Sequence, residues 1–286
     1  MNTKPLTHRA LASCFFILVL VGTNAHGSVL RGWYKFDDAN NLVVDSSGKG
    51  NNGTLFNDGI LPTYSSSGMG SGGSAYFGGT FNSQNFNFNG GGGRIDVPIN
   101  TSAGAMSNMS WGAWVDPLQF DHGRFILSND LYNGNRFIGI DDRVSDNYAA
   151  AIANQNPRLF DTGVDPSSGS WIFIGGVYEN DYSSQGVGRL TMFLGNQVFS
   201  NIETKFGSNG SSFTSIGGNA GGERYWNGYI DNVFIVEGAL TTSQMNLIKN
   251  NPTRISEIVA NGAIPEPSAA LLGGLGILAL LRRRRN

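Results

Sequence analysis

The side chains able to do acid, base or metal chemistry are few and scattered. The six glutamates, Glu179, Glu203, Glu223, Glu237, Glu257 and Glu266, stand far apart. The aspartate pairs Asp37-Asp38 and Asp141-Asp142 are adjacent in sequence. Neighbouring strand residues point to opposite faces, so neither pair makes a catalytic dyad. His122 is the one histidine past residue 27, set between Asp121 and Gly123 with no nucleophile or orienting group nearby, and it reads as a turn residue. The chain has neither a Gly-x-Ser-x-Gly elbow nor a His-Glu-x-x-His zinc helix. Asp231 is different, because it lies inside the apolar run from Tyr229 to Val236, where an acid is costly unless something pairs with it. Asp45 opens a loop, Asp45 to Thr54, with many free carbonyls. Hard oxygen donors of this kind suit calcium.

Binding chemistry asks for different residues. A sugar site needs a flat aromatic ring beside amide or carboxylate partners. Tyr132 and Arg136, in Leu131-Tyr132-Asn133-Gly134-Asn135-Arg136, and Tyr182, in the Glu179 to Gly186 loop, are the ligand-binding candidates, since tyrosine tolerates exposure and the strand tryptophans read as core. Four glycines from Gly90 to Gly93 precede no helical pattern, so they read as a turn into the strand Arg94 to Val97 rather than a phosphate cradle.

The elements that must position these residues are short strands. With 41 glycines, 11% aromatic and 14% charged residues, the composition fits many strands joined by Gly/Asn/Ser turns. Met109 to Val115 alternates, with Trp111 on one face and Trp114 on the other. Phe125 to Leu127, Phe137 to Ile140 and Tyr148 to Ile152 read as a meander, as do Trp171 to Tyr178, Gly188 to Leu194 and Gln197 to Asn201, the last two joined at Gly195-Asn196. Val233 to Val236 forms a closing strand. Thr241 and Gln244 have capping-box spacing for a helical turn or two, which Pro252 stops.

Residues 1–27 read as a secretory signal peptide: Lys4 and Arg9 precede the apolar run Ala10 to Val21, and Ala25-His26-Gly27 offers a cleavage site. The single cysteine, Cys14, leaves with that segment, so the mature domain has no disulfide. Setting aside Lys4, Arg9, Glu266 and Arg282 to Arg285 leaves a net charge of −7, which argues against nucleic acid as a partner.

Trp226-Asn227-Gly228-Tyr229-Ile230-Asp231-Asn232-Val233 with Ala239-Leu240 and Gln244 resembles the closing strand and helix of the LamG-like, concanavalin A-type jelly rolls. Trp33 to Asp37 with Asp45 to Thr54, Ser74 to Gly79, Trp111 to Val115 and Trp171 to Tyr178 are similar to that family's other strands, in order. The resemblance implies one all-β domain over residues 28–255, a single antiparallel β-sandwich with a short helix after the last strand. It also implies that the opening loop meets the closing strand at a structural calcium, held by Asp231, Asp45 and backbone oxygens near Asn51 or Gly53. The glucanases that share the fold carry Glu-x-Asp-x-x-Glu on one strand, so that alternate residues face the sugar. None of the glutamates here has that spacing, and the chain is expected not to be an enzyme.

After a linker at 256–264, Pro265-Glu266-Pro267, the apolar stretch Ser268 to Leu281 and Arg282-Arg283-Arg284-Arg285 resemble a PEP-CTERM sorting signal. That implies an exosortase-type peptidase as partner, transient insertion of the apolar helix in the inner membrane with its arginines inside, and a final place in a Gram-negative envelope or extracellular matrix. Three functions stay open: binding of carbohydrate such as exopolysaccharide, a structural or adhesive role without a discrete ligand, and a polysaccharide-active enzyme.

Overall fold

The computed structural model describes residues 27–70, 72–80, 91–129, 136–151, 159–182, 187–204, 210–221 and 224–261. The expected signal peptide up to residue 26, the sorting motif with Pro265, Glu266, Pro267 and Arg282 to Arg285, and Tyr132 lie outside them.

The strands, in chain order, are β1 (Val29–Tyr34), β2 (Thr54–Asp58), β3 (Thr63–Ser65), β4 (Ser74–Gly78) and β5 (Gly92–Val97). They continue with β6 (Asn108–Pro117), β7 (Arg124–Ser128), β8 (Phe137–Asp141), β9 (Asn147–Ala151) and β10 (Leu159–Asp161). The last five are β11 (Ile172–Tyr182), β12 (Val187–Leu194), β13 (Gln197–Thr204), β14 (Thr214–Ile216) and β15 (Asn227–Glu237). Two short helices follow, α1 (Thr242–Asn250) and α2 (Ile255–Asn261). All pairings between these strands are antiparallel, in two sheets ordered β13-β12-β11-β6-β15-β4-β3 and β10-β9-β8-β7-β14-β5-β2. This is the expected single sandwich, with both meanders in place.

Alternation along the strands builds two apolar layers. Trp111, Ala113 and Val115 of β6 point between the sheets, with Ile95, Ile138, Ile216, Trp226 and Ile230. Trp114 points the other way and joins Phe173, Phe234, Met245, Ile248 and Ile258 beneath the helices. Each such side chain, fully buried, contributes roughly 1.5–3 kcal/mol. The capping box is present: the Gln244 amide donates to Thr241 Oγ1 at 3.2 Å and the Thr241 amide to Gln244 Oε1 at 2.9 Å. Pro252 ends α1, yet the chain resumes as α2, with Ile255, Ile258 and Val259 buried at helical spacing. Residues 256–261 of the expected linker are therefore helix, because this apolar stripe has a sheet to cover. Gly92 serves not a turn but a close approach, since a Cβ there would fall 2.3 Å from the Tyr225 ring.

The long strand β15 has a divided edge. Its first part, Asn227 to Ile230, pairs with β4, and its second, Val233 to Glu237, pairs with β1. Asp231 and Asn232 occupy the seam, at a bulge against β6 where the register shifts between Asp231 and Phe234, and Asn232 has φ 49°. The seam explains two polar residues in an apolar strand: Trp33 Nε1 donates to Asn232 Oδ1 at 3.3 Å and the Met69 amide to Asp231 Oδ2 at 2.8 Å. The first and last described segments also meet, with Ser28 and Ala260 lining one cleft of about 250 Å³.

Candidate functional site

Three loops converge at one end of the sandwich: residues 118–123 between β6 and β7, residues 142–146 between β8 and β9, and the approach to β15 around Arg224. Leu118, Gln119, Phe120, Asp121 and Asp146 line an open cleft of about 420 Å³ there. Leu118 and Phe120 are 41% and 38% exposed, unlike the sealed aromatic residues of the core. Among the described residues six non-glycine positions have positive φ, and four of them, His122, Ser145, Asp146 and Arg224, belong to these loops. Such conformations persist only where surrounding contacts enforce them.

Three arginines brace these loops. Arg124, buried on β7, donates through Nε to the Asp121 carbonyl at 3.0 Å and through Nη2 to Asp121 Oδ1 at 3.0 Å and Gln119 Oε1 at 3.3 Å. Its Nη1 reaches the carbonyls of Gly79 at 3.2 Å and Tyr225 at 3.0 Å. One guanidinium thus holds the 118–123 loop to its neighbours. Arg224 lies 5.3 Å from the Phe125 ring centre and 3.4 Å from Asp142 Oδ1. A Cβ on Gly123 would fall 1.6 Å from its Nη1, so a side chain there would displace the guanidinium. Asp141, fully buried, is neutralised by Arg143 through bonds of 2.7 and 2.5 Å. Asp146 is held above the usual carboxylate range, first by desolvation and then by Asp142, against the pull of the His122 amide. Phe120 and Leu118 supply a flat apolar floor, and Gln119, Asp121 and Asp146 supply acceptors beside it. The arrangement can hold a sugar ring by stacking and hydrogen bonding.

The sequence-predicted site residues fall elsewhere. Arg136 is buried, not on a rim: Nη1 donates to the carbonyls of Thr101 at 3.1 Å and Met106 at 2.6 Å, and Nη2 to that of Ser107 at 2.9 Å. Burial pulls its pKa down to about 10. Tyr182 lies at the far end of β11, with the Arg189 guanidinium 3.9 Å from its ring centre. His122 does sit in a turn, half-buried, with its amide bonded to Asp146. Phe120 was overlooked, although an aromatic residue in Pro117-Leu118-Gln119-Phe120-Asp121, just past a strand end, was a legible signal.

The predicted metal set divides. Asp45 Oδ1 accepts from the Trp33 amide at 3.0 Å and the Ser47 amide at 2.8 Å, and Oδ2 from Ser47 Oγ at 2.8 Å and the Asn51 amide at 2.9 Å. The Asn51 carbonyl takes the Tyr34 hydroxyl at 2.6 Å, and the Gly53 amide donates to Val43 O at 2.8 Å. The Asp45 loop is thus closed by its own donors. Asp231 instead has Asp37 as its acidic neighbour, and both fasten one loop: Asp37 Oδ1 accepts from the Gly73 amide at 3.0 Å, Asp231 Oδ2 from that of Met69. Asp231 Oδ1 is buried without a partner, and desolvation, aided by Asp37, pushes the group up to about 7. Among the described residues no group of three or more His, Cys, Asp or Glu side chains is placed to hold a metal ion by itself.

The fold is shared with proteins of known structure. Domain 4 of AbnA, a GH43 extracellular arabinanase from Geobacillus stearothermophilus, in complex with arabinotriose, superposes with a TM-score of 0.55 at 20% identity, over 82% of this chain and 99% of that one. The binding domain of botulinum neurotoxin DC in complex with SialylT gives 0.54 at 14%, over 79% and 51%. A botulinum neurotoxin type C structure, described as dependent on two ganglioside molecules for cell entry, gives 0.51 at 14%, over 79% and 52%. The chain spans about half the length of those toxin chains. No curated protein matches it. A family profile, Laminin_G_3, does match, over residues 88–246 and so more than half of the sequence, and the chain belongs to that family, the concanavalin A-like lectin/glucanases superfamily.

Proposed function

We propose that this is a non-catalytic carbohydrate-binding domain of an exported protein, and that the cleft around Phe120 is its sugar site. The observation that carries this is an exposed aromatic floor beside one amide and two carboxylates, on a loop pinned by the buried Arg124. The arabinotriose and ganglioside named for the structural neighbours support the ligand class. The PEP-CTERM-like end places the protein, on this reading, with an exosortase-type peptidase and in the envelope or matrix near exopolysaccharide. Loss of Arg282 to Arg285 from the extracellular form, read by mass spectrometry, is the expected sign of that processing, and an intact arginine cluster outside the cell refutes it.

Asp231 and Asp37 fit a hard cation, because one buried carboxylate oxygen lacks a donor and two acids share a loop. They are our proposed holders of a structural calcium, with backbone carbonyls and water completing the shell. Asp45, Asn51 and Gly53 are not, since their polar groups are engaged as described.

A glycan array probed with the purified protein, with calcium and after chelation, tests the function. Phe120→Ala is expected to lower binding at least tenfold with the melting temperature within a few degrees. Unchanged binding eliminates the cleft. Absence of any glycan binding by the wild type favours the structural or adhesive reading, and product release from a bound polysaccharide would establish the enzymatic one.

A further inference from the structure

On the outer face of the helix-backed sheet, the register aligns one row of residues beyond the helices. Thr63 of β3 pairs with Tyr76 of β4, Tyr76 with Tyr229 of β15, and Tyr229 with Asp116 of β6. Since Ile172 pairs with Val115, the next position, Trp171, continues the row on the far side of Asp116. Opposed residues share a face, and the flanking Tyr64, Ala75, Phe77, Val115, Ile172 and Ile230 all point into the core, so the row points outward. Ring centres lie 5.3 Å apart for Tyr76 and Tyr229 and 6.3 Å apart for Tyr229 and Trp171. Three strand spacings separate Tyr76 from Trp171, about 14 Å along the row.

This row is dressed differently from the core. The buried Tyr34, Tyr178 and Tyr225 each send their hydroxyl to an acceptor. Tyr76, Tyr229 and Trp171 are half-exposed, and their polar tips have no hydrogen-bond partner among the described residues. Of the five tryptophans, Trp33, Trp111, Trp114 and Trp226 are buried and only Trp171 reaches solvent. Asp116 is aimed rather than loose: its Oδ1 accepts from the amides of Gly169 at 2.7 Å and Ser170 at 3.2 Å, in the loop that delivers Trp171. A line of aromatic faces with wet tips and one fixed carboxylate suits hydroxyl-rich rings more than an apolar partner. The row contains no basic side chain, which disfavours an acidic chain.

We infer that Tyr76, Tyr229, Asp116 and Trp171 form a second glycan site, separate from the Phe120 cleft, that binds an extended, neutral polysaccharide chain over about three sugar units. The rings are tilted by 46° and 47° to their neighbours, so they offer separate faces to successive sugar rings rather than one plane. This inference shares with the proposed function only the class of ligand.

The test uses the full-length protein and linear neutral oligosaccharides, (1,4)-linked glucose and arabinose oligomers from dimer to hexamer, with tryptophan emission as readout. The expected result is an emission change whose Kd falls at least tenfold from dimer to trimer and then levels off. Trp171→Phe should remove the emission change, and Tyr76→Ala with Tyr229→Ala should weaken tetramer binding at least tenfold. If that double variant misfolds, Tyr76→Phe with Tyr229→Phe, which keeps the rings and removes the hydroxyls, should weaken it about threefold. Binding lost in Phe120→Ala but kept in the row variants sinks the row and leaves the cleft. Binding lost in the row variants and kept in Phe120→Ala does the opposite. Affinity independent of chain length, or no binding of any of these oligomers by the wild type, overturns the inference.

Discussion

Asp231 is pulled in two directions. Its position at the seam of β15 buries it, and the protonated form is favoured until the pH nears 7. Because its folded pKa is raised above the unfolded one, Asp231 in the metal-free protein contributes stability that is full below about pH 4 and is lost as the pH climbs to about 7, by a few kcal/mol at most. A bound calcium would reverse that loss. Urea titrations at pH 4 and pH 7, with calcium and with chelator, are expected to show a pH-dependent decline only in the chelated sample. Asp231→Asn should stabilise the chelated protein at pH 7 and abolish the calcium response, and a calcium response retained in that variant would place the ion elsewhere. The acid in an apolar strand was plain in the sequence; its partner was not. Asp45 sat in a loop of suitable composition, but whether a carboxylate faces a cation or its own loop's amides depends on how residues 45–51 curl. Arg136 was misread for a related reason: its Asn/Gly neighbours suggest a surface loop, whereas the carbonyls of Thr101, Met106 and Ser107 come from a segment thirty positions away.

Among the elements, those with a strong period were legible and those defined by their partner were not. β6 and β15 announced themselves through alternation and β-branched runs, and α1 through Thr241 and Gln244. Replacing Thr241 with Ala removes one of two reciprocal bonds at the helix start and should lower unfolding stability by about 1 kcal/mol, read from the urea midpoint at constant m-value. Met245→Ala, which empties a fully buried position between α1 and the sheet, should cost about 2–5 kcal/mol. α2 escaped notice because seven residues with three apolar side chains look like a linker until the sheet they cover is known. The Phe120 loop escaped notice likewise, since its shape is set by Arg124 turning back from the start of β7, and an arginine's burial is not announced by its neighbours in sequence.

At the scale of the whole molecule, the chain leaves β1 early and returns to it last, so that β1 and β15 close the sheet and α2 packs on β1. A circular permutant that joins residue 261 to residue 28 through a short Gly/Ser linker and opens the Gly195-Asn196 hairpin should fold with a melting temperature within several degrees of the natural order. Failure to fold would show that the two segments are not neighbours.

That shared corner has a mechanical meaning. If the protein is tethered on one side and tugged on the other, tension enters near Ser28 and departs near Ala260 without crossing the sandwich. The load falls first on α2, held by Ile255, Ile258 and Val259, and then on the β1–β15 pairing, which would unzip one rung at a time. The proposed cleft at Phe120 lies off this path, and Tyr229 stands on the part of β15 that pairs with β4 and not with β1. The domain would behave as a bead hung beside the cord, keeping its grip while the chain around it bears the strain.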